Sequence, residues 1–180
     1  HPGLLPRLVA EGIEGPSYCS NPSPGLVALI LHDAGHLQED QARYAAKKRY
    51  SRHAEPRPLY TAKDARRTLK LLKTLPFDQA TEILPGIRVR FRRAGHLLGA
   101  ASLEIQAKGS DGQRRSWCFS GDVGRYDVPI IEDPVPALDP PAALGLESSY
   151  GDRHPQQRDA ERRFREGVQR VLLRGGSGIM

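Results

Sequence analysis

The chain has 180 residues, 38% hydrophobic and 27% charged, and its 27 Lys and Arg against 21 Asp and Glu give a formal net charge of +6. That length suffices for one well-cored domain, and at a mean hydropathy of −0.52 no apolar run in it approaches the length of a transmembrane helix. The basic balance favours a polyanionic partner, although arginine-rich composition follows equally from a GC-rich coding sequence.

Leu4, Leu5, Leu8 and Val9 share a helical face and Gly12 ends the run, which predicts a short helix over residues 3–11 with His1 at its start. Gly15-Pro16-Ser17 turns the chain into a short strand that Asn21-Pro22-Ser23-Pro24 breaks. A long helix is predicted from Leu26 to about Tyr50, with Leu26, Leu29, Ile30 and Leu37 on one side. His32 and His36 share a face of it at metal-compatible spacing, but no acidic or cysteine partner is matched to them, so they read as surface residues. The Lys47-Lys48-Arg49-Tyr50-Ser51-Arg52-His53 cluster suits a phosphate backbone or simply a solvated helix end. Thr61-Ala62-Lys63-Asp64 opens another helix, with its acidic residue in the first turn, and this helix is expected to run through Leu69, Leu71 and Leu72 to Leu75-Pro76.

Ile87, Val89 and Phe91 alternate with Arg88, Arg90 and Arg92, the period-2 pattern of a strand with one buried face, and this strand delivers His96 to a sheet edge. Leu103, Ile105 and Ala107 alternate again, Asp111-Gly112 signals a hairpin, and Arg115-Ser116-Trp117-Cys118-Phe119 returns toward Asp122. His96 and Asp122 thus converge at the open end of one hairpin, each in a small-residue turn. An imidazole and a carboxylate are half of a zinc site. Taken singly, His96 reads first as a ring bonded to loop backbone, and Asp122 equally as an Asx-turn residue. Residues 126–141 read as a proline-rich, acidic surface loop, residues 142–147 as a buried strand ending in Glu147, and residues 155–174 as a charged helix with Phe164, Val168, Val171 and Leu172 as its stripe. Cys19 and Cys118 lack metal or redox spacing, fitting free thiols in a reducing cytoplasm, and no signal peptide is visible.

Four stretches taken together carry a resemblance. His1-Pro2-Gly3-Leu4-Leu5-Pro6, Ala94-Gly95-His96-Leu97-Leu98-Gly99, Phe119-Ser120-Gly121-Asp122 and Glu147-Ser148-Ser149-Tyr150-Gly151-Asp152-Arg153, in that order, resemble the metallo-β-lactamase-fold nucleases of the β-CASP group, relatives of RNase J and of the cleavage and polyadenylation endonuclease. The resemblance covers essentially the whole chain. It implies an α/β chain forming part of a metallo-β-lactamase αββα sandwich over residues 1–153, with a β-CASP insertion beginning at residues 154–180. The family's His-x-His-x-Asp-His motif is represented only by a last histidine, His1, so the chain reads as an internal fragment, expected to be inactive alone. Pro2 stands where relatives have a small or aliphatic residue, and Ser148-Ser149 replaces Ser-Thr; neither removes a ligand.

By motif match, His1 would ligate one of two Zn2+ ions, His96 the other, and Asp122 would bridge both, while Glu147 would orient a histidine of the β-CASP part. The implied activity is zinc-dependent hydrolysis of RNA phosphodiesters in the cytoplasm, with RNA as partner, single-stranded DNA as an alternative, and a homodimer compatible with the family. Two rival readings are a non-catalytic RNA-binding scaffold of the same fold and a metallo-hydrolase of small esters or lactams; the basic charge and the Glu147 motif argue against the second. Asp152 and Arg153 are expected to brace the turn after Glu147, with His154 a surface residue.

Overall fold

The computed structural model describes residues 2–109, 111–149, 151 and 160–174. They fall into two compact units, divided after Glu147.

The first unit is a mixed α/β structure. A 3-10 turn over Pro2–Leu4 leads into α1 (Leu5–Ala10), then β1 (Ser17–Ser20) and α2 (Ser23–Lys48). Pro22 caps α2 and Pro24 lies in its first turn, where a proline costs no helical hydrogen bond. The expected apolar face of α2 is not the buried one: Leu29 and Leu37 are exposed, while Leu31, Gly35 and Ala45 are buried at four- and ten-residue steps. Close approach to α3 (Ala62–Leu69) selects this stripe, because a Cβ on Gly35 would stand only 2.8 Å from Ala62 Cα. At the start of α3, where the sequence placed a helix start, Thr61 and Asp64 form a capping box.

The α3 helix ends at Leu69, and Leu72–Leu75 is instead strand β2, pairing in parallel with β1. The expected helix through Leu75 fails because this pairing satisfies the backbone of residues 72–75 and lets Leu75 enter the core. A second sheet has the order β3 (Thr81–Leu84), β4 (Ile87–Arg93), β5 (Ala101–Lys108), β6 (Arg114–Phe119) and β7 (Ala143–Gly145). Neighbours from β3 to β6 are antiparallel, and β7 joins β6 in parallel. Leu75, Val89 and Phe91 centre the hydrophobic core, with Tyr18, Leu103 and Ile105 packed against them, so both sheets contribute.

Two expectations about this sheet need correction. The 142–147 stretch is a strand but not a buried one: β7 is the sheet's last strand and all three of its residues are exposed. The arginine face of β4 is not simply solvated. Residues 134–138 cross it, with Val135 N–H donating to Arg93 O at 2.9 Å and Arg92 donating to Pro136 O at 2.9 Å. Beneath this crossing, Arg92 donates to Asp78 at 2.7 Å, and Arg90 donates to Glu104 at 3.0 Å, Glu104 also accepting Leu138 N–H at 3.2 Å. Arg92 and Glu104 are buried, as charged groups are when they are paired and hydrogen-bonded.

The second unit contains the helix Ala160–Leu173, labelled α4, in which Arg162 pairs with Glu166 one turn on at 3.3 Å.

Candidate metal centre

Each candidate ligand follows a strand by three residues: Arg93 ends β4 before His96, and Phe119 ends β6 before Asp122. The β4 strand lies inside the sheet, so His96 stands beyond its C-terminal end and not along an edge strand. Residues 94–100 form a tight loop closed by Ala94 N–H donating to Ala100 O at 3.1 Å and Ala100 N–H to Leu97 O at 2.9 Å. The β5 strand then leads back antiparallel to β4, with Arg93 opposite Ala101.

The two turns are joined directly. Gly124 N–H donates to Ala94 O at 2.7 Å, and the backbones approach so closely that a Cβ on Gly124 would overlap the Gly95 carbonyl and lie 2.7 Å from His96 N. A glycine is therefore required at 124 by proximity alone. A third loop holds the far side of the His96 turn: Ser20 Oγ at the end of β1 donates to Gly99 O at 2.7 Å and lies 2.7 Å from Ser23 Oγ. Gly99 has φ +81°, and a side chain there would strike Ser23.

Glu147 meets the same corner from β7. Its carboxylate Oε1 accepts Val123 N–H at 2.9 Å, and its own N–H donates to Ser120 Oγ at 3.0 Å. Ser120, which is buried, donates its hydroxyl proton to Gly121 O at 2.7 Å, and its backbone N–H goes to Gly145 O at 2.9 Å. Ser120 is thus the polar link that ties the Asp122 turn to the Glu147 segment. Four strand ends, from β1, β4, β6 and β7, present these loops together.

His96 is exposed and Asp122 half-buried, so both can reach a ligand from solvent. An imidazole nitrogen and carboxylate oxygens on two interlocked turns fit the donor preferences of zinc. Among the described residues, no three His, Cys, Asp or Glu side chains gather closely enough to hold a metal ion. The third expected ligand, His1, lies outside the described residues, as do Tyr150, Asp152, Arg153 and His154 of the acidic motif and its surroundings. His32 and His36 stack at 4.8 Å on the exposed side of α2 and form no metal cluster.

Two anchors of this corner, Ser20 and Ser23, were not legible in the sequence, since serines in and beside the Asn21-Pro22-Ser23-Pro24 break read as turn residues. Away from the corner, Glu104 carried a faint signal: a carboxylate at an outward position opposite Arg90 in the β4–β5 register.

Comparison with known proteins bears directly on this arrangement. The chain is 29% identical over its full length to the transcription termination factor FttA of Cenarchaeum symbiosum, covering 26% of that protein. It is 30% identical, again over its full length, to ribonuclease TTHA0252 of Thermus thermophilus, covering 36% of it. Over 98% of its length it is 31% identical to FttA of Methanothermobacter thermautotrophicus, covering 26% of that relative. The chain is a homologue of these proteins. Their kinship meets the resemblance carried by the four motifs, that of the β-CASP, metallo-β-lactamase-type nucleases. The chain spans about a quarter to a third of the length of these relatives. No protein-family model matches it.

Proposed function

We propose that this chain is the ligand-bearing part of a zinc-dependent β-CASP ribonuclease that hydrolyses RNA phosphodiester bonds in RNA processing or decay. The observation that carries the reading is the 2.7 Å hydrogen bond from Gly124 to Ala94, which locks the His96 turn to the Asp122 turn in a homologue of a named ribonuclease. In this reading residues 1–153 belong to a metallo-β-lactamase sandwich, of which β1–β2 and the five-stranded sheet are the two β layers, and residues 154–180 open the β-CASP part. His1, His96 and Asp122 would hold the metal, two zinc ions in the complete protein.

Bound zinc supplies a Lewis acid that makes water nucleophilic near neutral pH. The chain's own groups do the positioning. Hydrogen bonds on both sides of Gly99 and Gly124 hold the His96 turn, so the imidazole meets its ligand with little reorganisation. Glu147, fixed by the Val123 N–H, sits beside the Asp122 turn, ready to orient a group on the reacting side. The excess of Lys and Arg gathers a polyanionic substrate, and with two free cysteines a cytoplasmic RNA is the fitting one. No described helix is long and apolar enough to cross a membrane.

The test is the zinc-to-protein ratio of the purified chain by elemental analysis, beside His96→Ala and Asp122→Ala. Zinc near stoichiometry that disappears in both variants is expected. Zinc unchanged in either variant would overturn the assignment, whereas no zinc in the wild-type chain would mean that the site needs the His-x-His-x-Asp of the longer parent.

A further inference from the structure

The outward face of the five-stranded sheet carries a second basic feature, at the end of β5 far from the metal-bearing turns. In the β4–β5–β6 register Arg88 lies opposite Gln106, which lies opposite Ser116, and Lys108 lies directly opposite Arg114. The two-residue period puts Arg88, Lys108 and Arg114 on one face, together with Arg90 and Glu104. These cations are treated differently by the fold. Arg90 is matched by Glu104, and Arg92 by Asp78. Among the described residues Arg88, Lys108 and Arg114 have no ion pair, although the adjacent Arg115, on the other face, has Asp111.

These three line a hollow of about 100 Å3 with Glu82, Gly86 and Gln106. The one carboxylate there, Glu82, already accepts Gly86 N–H through Oε1 at 2.9 Å. Glu82 stands opposite Arg88 in the β3–β4 register without an ion pair between them. Across β5 and β6 the arrangement is costly without a ligand, because like charges directly opposite each other destabilise a sheet, as at Lys108 and Arg114. An anion in the hollow offsets this.

We propose that Arg88, Lys108 and Arg114 form a phosphate-backbone contact for single-stranded RNA, a substrate-holding site separate from the candidate metal centre. The choice of RNA rests on the ribonuclease reading above; the presence of an anion site rests on the three unpaired cations. The patch lies about 24 Å along β5 from the Ala101 end where the two turns meet, at roughly 3.4 Å per residue. A strand held there is gripped well away from the bond to be cut.

The test is fluorescence anisotropy of a labelled 20-nucleotide oligouridylate against the full 180-residue chain in EDTA, over a KCl series. Lys108→Gln/Arg114→Gln, both at exposed positions that leave the core untouched, is compared with the triple variant adding Arg88→Gln and with Lys63→Gln/Lys70→Gln, two exposed positions at the ends of α3, as an equal charge loss elsewhere. With a slope of about 0.7 per phosphate contact on a single strand, the log Kd against log salt slope should fall by about 1.4 in the double and about 2 in the triple variant. The double variant should weaken binding at least tenfold more than the Lys63/Lys70 control. Equal loss in the control, an unchanged slope, no binding by the wild type, or equal displacement of the RNA by polyglutamate of matched charge would each overturn the proposal. Because EDTA removes metal and binding alone is read, such a failure leaves the zinc test at His96 and Asp122 standing, and the reverse also holds.

Discussion

Replacing Gly124 with alanine tests whether the contact between the two turns holds the corner together. The added Cβ would overlap the Gly95 carbonyl and stand 2.7 Å from His96 N, where ordinary van der Waals contact begins at 3.4 Å. Relieving His96 N alone requires the turns to part by 0.7 Å, and the Gly95 carbonyl must move farther. The Gly124 to Ala94 hydrogen bond, now 2.7 Å, then stretches to the limit of a hydrogen bond, and Ala94 is 1% exposed, so its carbonyl loses its partner without gaining bulk water. An orphaned buried acceptor costs about 1–3 kcal/mol. In a domain of this size each kcal/mol lowers Tm by roughly 2–4 °C, so Gly124→Ala should melt about 2–12 °C lower by circular dichroism. Because the strain falls at His96, zinc content should drop along with Tm, while far-ultraviolet circular dichroism at 20 °C stays that of the wild type. A variant that keeps both its Tm and its zinc would refute the argument that these backbones meet as closely as described.

Other outcomes follow from the same geometry. Gly35→Ala would ordinarily stabilise a helix by up to about 1 kcal/mol, but a Cβ there meets Ala62 Cα at 2.8 Å and N at 2.9 Å, so the clash should win and urea denaturation should show a lower midpoint. Glu104→Ala leaves the half-buried Arg90 and the Leu138 N–H without their acceptor and should lower the urea midpoint, whereas Glu104→Gln, which keeps an acceptor, should lower it less. Asp64→Ala removes the α3 capping box at about 1 kcal/mol near neutral pH. Hydrogen bonds from the Thr61 hydroxyl and backbone hold the Asp64 carboxyl below its usual range, so this stabilisation is whole above about pH 4 and is lost as pH falls through the lower folded-state value. Wild-type and Asp64→Ala melting curves should therefore converge in acid; a gap that persists at pH 2 would contradict the capping account. Burial, with Glu104 nearby, pushes the Cys118 thiol up, so at pH 8 it should react with iodoacetamide far more slowly in the folded chain than in urea.

Local chemistry made much of this protein legible from its sequence. Proline spacing and alternation located α1, β1, α2, β4, β5 and β6, because the backbone preferences involved act over a few residues. The small-residue turns holding His96 and Asp122 were legible for the same reason: glycines beside a metal-capable side chain leave a compact signature. Tertiary structure decided the rest. Leu71 and Leu72 continue a helical pattern on paper, yet a hydrogen-bonding partner in β1 makes residues 72–75 a strand. Leu29, Ile30 and Leu37 form as plausible an apolar stripe as Leu31, Gly35 and Ala45, and only the crossing of α3 over Gly35 selects the second. The alternating arginines of β4 announce a polar face, but whether each is buried against Glu104, paired with Asp78 or left open depends on where residues 134–138 cross. Periodicity is a property of one segment, whereas burial and charge pairing belong to two segments at once, and the distance between them is set only when the chain has folded.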